Sequence, residues 1–315
     1  MKSNHISTKK PSNIGDIIYG LLVKGAVVFV ALLTVGIVIS LLSSSGLSIK
    51  ELGAGFLTSS KWNPVTGEFG ALSSIVGTII TTVIAMFIAV PLALLIAFFL
   101  VELAHPYIAA PVKYAIELLA AVPSIIYGMW GLFVFAPFMA DYIQPFLNKY
   151  FGFLPFFEGP PMGIGILSAG IILALMVLPF ITAVMREVFS MVPKVVKEAA
   201  YGMGSTTFEV ASKTTVKYGF SGVVGAVFLG LGRALGETMA VTFVIGNSHV
   251  ITSSFFSPGN TIASTLANEF TEASEPLYLS ALIELGLILF IMTLVIQVFA
   301  QLWIGRIQKL AGRGI

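Results

Sequence analysis

The chain has 315 residues, of which 57% are hydrophobic and 10% charged, with a mean hydropathy of +0.98. A soluble globule carries about 25% charged residues, so the composition excludes that class and leaves an integral membrane protein. The net charge of +2 singles out no partner, and the lack of cysteine excludes a disulfide framework, a thiolate metal site and a cysteine nucleophile.

Residues 1–16 are polar and carry Pro11, Asn13 and Gly15, a composition that predicts a mobile tail, to which no function is assigned. Six apolar runs then follow, at 25–44, 71–101, 114–137, 161–185, 220–247 and 277–303. Each is long enough to cross about 30 Å of hydrocarbon as a helix, and their continuity, without alternation, excludes a barrel. The predicted fold is therefore an all-α integral membrane protein with six transmembrane helices. The first run is longer than the apolar region of a signal peptide, and Ser43-Ser44-Ser45-Gly46 is no Ala-x-Ala site. It is expected to stay as a first, peripheral helix. The organisation predicted is a tail (1–24), the first span (25–44), an outside segment (45–70), a core (71–303) containing a cytoplasmic loop (186–219), and a second tail (304–315).

Thirteen of the seventeen Lys and Arg residues fall on one side if the N-terminus is cytoplasmic, while Lys50, Lys61 and Lys149 fall outside. Both termini and the 186–219 loop are assigned to the cytoplasm by the positive-inside rule. Trp62-Asn63-Pro64 and Gly67 mark turns in the outside connector, with Trp62 expected near the lipid headgroups. The second outside loop, 248–276, has no basic residue, and a solvated face accounts for its Glu269, Glu272 and Glu275.

Pro91, Pro123 and Pro179 interrupt the second, third and fourth runs. Each frees backbone groups that lipid cannot satisfy, which predicts an inner bundle of these three helices. In Ala120-Ala121-Val122-Pro123-Ser124 through Gly128 and Gly131, small residues permit close packing and Ser124 offers a hydroxyl beside the kink. Glu117 and Glu284 are acids in apolar surroundings, each placed to accept from a neighbouring helix.

Arg233 is the one basic residue inside a predicted span, with Glu237 four residues on. A charge near the bilayer centre costs about 2.5–3.5 kcal/mol on insertion scales, more than packing ordinarily requires. The i, i+4 spacing puts both on one helical face, where Arg233 presents a fork of donors to an anion and Glu237 orients it. A buried pair that only fixes helix register is the alternative. Gly225, Gly230, Gly232 and Gly236 leave little bulk around the pair. Arg233, Glu237, Thr238, Ser124 and Glu117 are the candidate pathway residues, with no catalytic and no metal-binding residue. Lys213-Thr214 is not a P-loop, because Ser212 and Thr207 stand where glycines are required, and His5, His105 and His249 lack metal-ligand spacing. Energy must come from a partner protein or an ion gradient.

Glu198-Ala199-Ala200, three residues and then Gly204 lie in the most charged stretch of the chain. This pattern, before the penultimate helix, resembles the coupling motif of type I ABC importer permeases. Gly230 to Phe243, Ile116 to Phe133 and Asn260 to Phe270 resemble the phosphate-specific permeases of that family, the PstC type. The resemblance implies a core of helices two to six and a docking hairpin at Glu198, Ala199, Ala200 and Gly204. It also implies a multi-pass place in the bacterial inner membrane and no enzymatic activity or bound cofactor of the chain's own, with ATP and Mg used by partner subunits. Those partners are a sister permease (PstA type), two ATP-binding subunits (PstB type) and an outside phosphate-binding protein (PstS type), with the lipid bilayer around them and no nucleic acid. One departure is Val216-Lys217, where the family commonly has an apolar residue and proline; the approach of the fifth helix is then expected to lack its rigid turn. A secondary ion-coupled anion transporter using Glu117, Glu237 or Glu284 as proton relays, a permease for another oxyanion such as sulfate, and a membrane scaffold or signalling subunit remain as alternatives.

Overall fold

The structure, a computed structural model, describes residues 14–311, with side chains as far as Arg306. The remainder of both predicted tails lies outside the described residues. Helix α1 (Ile14–Ser44) begins ahead of its apolar run and buries no residue, standing outside the bundle beside the last helix. A short helix, α2 (Gly46–Leu52), follows it across the turn at Ser45.

The core is built on α3 (Leu72–Phe98), which runs on through a π-helical turn to Leu103, packed lengthwise on α6 (Ile166–Ser190). Ala85, Ala89, Ala93 and Ala97 recur every four residues on α3 and are fully buried. Lipid gives two helices little hydrophobic reason to associate, so close approach of small side chains supplies the dispersion contact instead. Gly170 of α6 serves the same end, since a Cβ there would lie 2.6 Å from Ile84. Pro91 and Pro179 sit inside these helices without ending them.

The third run departs from expectation. The chain breaks at Val122–Pro123, so that α4 (Pro106–Ala121) is a separate helix against α6. The long apolar helix begins at Ser124 as α5 (Ser124–Trp130) and continues through π-helical turns to Phe151. A span of 114–137 is thereby corrected to 124–151, and part of the supposed 138–160 loop is helical. The physical reason is that Val122 is extended, at φ −63° and ψ 128°, as a residue before proline prefers. Gly128 and Gly131 are close-packing positions, because Cβ atoms there would meet Phe243 at 2.7 Å and Val244 at 2.9 Å.

After α6 comes α7 (Lys194–Gly202), then a helical limb over 207–218 that bends by 72° into α8 (Phe220–Leu235). Helix α8 stops, and α9 (Met239–Ile245) resumes after the break. The chain closes with α10 (Ile262–Glu269) and α11 (Pro276–Ala311). Among the described residues five helices are individually long and apolar enough to span, and the bent pair 207–218 and 220–235, counted as one span, makes a sixth.

At the end opposite α7 the connector is not a loose link. Phe56 and Phe69 of residues 45–70 are buried against α11, and the Trp62 indole donates to Glu269 at 2.5 Å while stacking on His249. The side chain of Glu269 is 17% exposed and also accepts from Tyr278, at 2.8 Å, so a solvated face does not describe this acid. Glu284 accepts from the Ser48 hydroxyl of α2, the neighbouring-helix role expected of it.

Candidate functional site

Helix α8 carries Arg233 in its last turn and ends at Leu235, with Gly236 at φ −94° and ψ 4°. The predicted one-face pairing of Arg233 with Glu237 therefore fails. Glu237 lies beyond the helix, where its carboxylate accepts from the Ala240 backbone N–H at 3.2 Å and caps the first turn of α9. The cause is backbone geometry: the i, i+4 relation holds only while the helix continues, and here it stops between the two residues.

Among the described residues Arg233 has no ion-pair partner, and it points to the exposed side of the chain. Its guanidinium lies 5.3 Å from the ring centroid of Phe180 on α6, a cation–π placement that holds the charge without neutralising it. The Tyr127 hydroxyl of α5 donates to the Leu119 carbonyl at 2.9 Å. Two of the four glycines of this region are packing positions: a Cβ at Gly230 would lie 2.5 Å from Ile181, and one at Gly232 2.5 Å from the Gln297 amide.

The other candidates separate. Ser124 is half-buried at the first turn of α5. Thr238 donates to the Gly236 carbonyl at 3.3 Å and lines a cavity of about 580 Å³ with Ser40, Ser44 and Phe270, on the α1 side of the chain. Glu117 belongs to a different cluster, where it meets Arg186 at 3.1 Å and Lys113 at 4.0 Å. Phe180, Tyr127 and Gln297 were invisible to sequence reasoning, because ordinary aromatic and amide residues in apolar runs give no signal until the helices are packed.

The 198–204 stretch folds as a helix stop with a defined cause. The Ser205 N–H donates to the Ala200 carbonyl at 3.2 Å and the Gly204 N–H to Tyr201 at 2.9 Å, a Schellman closure with Gly204 at φ +85°. The left-handed residue of such a closure lies four positions after the third-last helical residue, which here are Gly204 and Ala200. Ala200 is buried against the following limb, where Val210 and Thr215 are fully buried. Val195, Met203 and Phe208 project outward from the hairpin, each more than 70% exposed. The turn into α8 that Val216-Lys217 was expected to lack is supplied by Gly219, whose Cβ would sit 2.9 Å from Val188.

An acid that sequence reasoning passed over closes the picture. Glu102, in the π-helical turn ending α3, accepts from Lys197 of α7 at 2.6 Å and from Thr215 at 2.8 Å. A lone acid at the edge of an apolar run was the available signal.

The helical bundle, with a hairpin at one end, has the fold of the permease subunits of ABC importers. A crystal structure of a bacterial ABC transporter involved in the import of alginate matches with a TM-score of 0.61 over 92% of this chain and 95% of that one, at 12% identity. No protein-family profile matches the chain. It is 48% identical, over 99% of its length and 97% of the relative's, to the phosphate transport system permease protein PstC of Mesorhizobium japonicum. Identity to the PstC protein of Pasteurella multocida is 53% over 91% and 90% of the two chains. The chain belongs to the PstC family of phosphate transport system permeases.

Proposed function

We propose that this chain is the membrane permease subunit of an ATP-driven importer of inorganic phosphate, with Arg233 as the residue that meets the anion. The observation that carries this is an arginine in the last turn of a broken helix, held over Phe180, without a carboxylate partner among the described residues, and on the exposed side of the chain. A charge kept at that depth is available to an anionic solute. Glu237 shapes the path indirectly, by capping α9 beside it. The open side is the face for a sister permease of PstA type. The outward apolar side chains of the 194–218 hairpin suit a groove on ATP-binding subunits of PstB type, which bind and hydrolyse ATP with Mg. A PstS-type protein delivers phosphate at the opposite end, and both termini are cytoplasmic. Closure of the ATPase pair moves the hairpin and alternates access to Arg233.

The test is Arg233→Gln in the whole complex, reconstituted with all its subunits. Phosphate uptake is expected to be lost while the subunits co-purify as in wild type; undiminished uptake at normal affinity overturns the assignment. Sulfate shares the charge and shape that Arg233 would read, so uptake competition between phosphate and sulfate checks the substrate. A secondary, ion-coupled transporter leaves the hairpin without a role, and uptake by this chain alone under a proton gradient would establish it.

A further inference from the structure

We infer that the buried ion pair between Glu102 and Lys197 is the rigid link through which movement of the docking hairpin enters the transmembrane bundle, an inference that rests on the hairpin being the ATPase contact.

Three elements meet at the Glu102 carboxylate. Lys197 Nζ comes from α7 at 2.6 Å, Thr215 Oγ1 from the second limb of the hairpin at 2.8 Å, and Glu102 itself from the end of α3. The Glu102 side chain is 7% exposed and that of Lys197 15%. Separating a pair so enclosed leaves an uncompensated buried charge, which is far costlier than the loss of a surface pair. Both limbs of the hairpin and the end of α3 must therefore travel as one body.

The covalent routes out of the hairpin are poorer transmitters. Toward α8 the chain bends by 72° at Gly219, and toward α6 it passes through the turn at Met191–Pro193. Bends of this kind absorb dihedral change and serve as hinges. The polar link instead feeds α3, whose alanine stripe lies along α6, and α6 carries Phe180 beneath Arg233. Glu102 and Thr215 both occupy π-helical turns, an irregularity that re-aims side chains and recurs at functional positions. By contrast, Lys213–Glu209 on the hairpin surface is an exposed pair within one limb and links nothing. Glu102 and Lys197 are thus positioning residues, acting on the path through α3 and α6.

The experiment uses the complete complex in proteoliposomes and measures three quantities: co-purification of the ATPase subunits, the rate of ATP hydrolysis, and phosphate moved per ATP. Glu102→Gln and Lys197→Met are expected to keep the ATPase subunits and hydrolysis while phosphate per ATP falls at least about tenfold, a split that mere loss of stability would not give. Lys197→Arg is expected to stay within about twofold of wild type. The double exchange Glu102→Lys with Lys197→Glu is expected to recover at least about half of the coupling. Wild-type phosphate per ATP in either single variant overturns the link, and so does failure of the double exchange to restore what a single variant has lost, assembly included. Docking itself is read separately, by cross-linking a Met203→Cys variant to the ATPase subunit in a chain that has no native cysteine. Absence of that cross-link in the otherwise wild-type complex defeats the hairpin assignment and the link with it, whereas its presence alongside fully coupled single variants defeats the link alone.

Discussion

Replacing Gly204 tests whether handedness or space governs the proposed docking hairpin. The residue sits at φ +85°, and a Cβ added there meets nothing within 4 Å. Steric bulk therefore contributes no penalty, and the whole cost is that of placing an L-residue in the left-handed region, about 1–2 kcal/mol. That energy corresponds to a roughly 5- to 30-fold fall in the ratio of closed to open hairpin, because opening releases the Ser205 and Gly204 hydrogen bonds to Ala200 and Tyr201 together. Gly204→Ala is expected to weaken binding of the ATP-binding subunit by up to that factor, since apparent affinity scales with the closed fraction, Gly204→Val by more, and Gly204→Asn by less, since asparagine visits this region readily. Titration of the ATPase subunit against permease in nanodiscs, with transport-linked hydrolysis in parallel, reads the series. Wild-type affinity and coupling in the alanine and valine variants would refute the reasoning, as would asparagine proving worse than valine.

Two further outcomes follow from the end of the bundle opposite the hairpin. Gly77→Ala drives a Cβ to within 1.8 Å of the Asn260 carbonyl, a backbone atom whose residue also donates to Ser74 and meets His249. A loss of about 1–3 kcal/mol is expected, read as a lower Tm against a neutral Gly36→Ala control on α1, and equal Tm values would count against the packing described. Burial opposes ionisation of Glu269, yet hydrogen bonds from His249, Tyr278 and Trp62 outweigh it and hold the carboxyl below its ordinary 4.5. A depressed folded value means stability that is present above the unfolded value and lost as pH falls through the folded one. The gap between wild type and Glu269→Gln, about 1–3 kcal/mol near neutrality, should accordingly narrow below pH 4.5, and a gap constant from pH 7 to 3 would contradict it.

The amino-acid sequence by itself determined the solvent this protein lives in, since apolar runs of spanning length have few alternatives, and it located the two stretches on which the proposed function rests. Glu198 to Gly204 was legible because it lies in the most charged stretch of an apolar chain and resembles a coupling motif, and Arg233 because charge in an apolar run is conspicuous; that Gly204 closes its helix in the left-handed region was not. Tertiary structure alone decided what these residues do to their neighbours. The pairing of Arg233 with Glu237 failed because the helix ends at Leu235, and the third span moved because Pro123 breaks its run where a kink was expected. Glu269 looked like one acid among three in a loop and instead receives donors from Trp62, Tyr278 and His249. Glu102 and Lys197 are 95 residues apart, and no local pattern encodes such a contact. It exists because α3 and the hairpin are folded to the same end of the bundle, where burial makes a single carboxylate the meeting point of three elements.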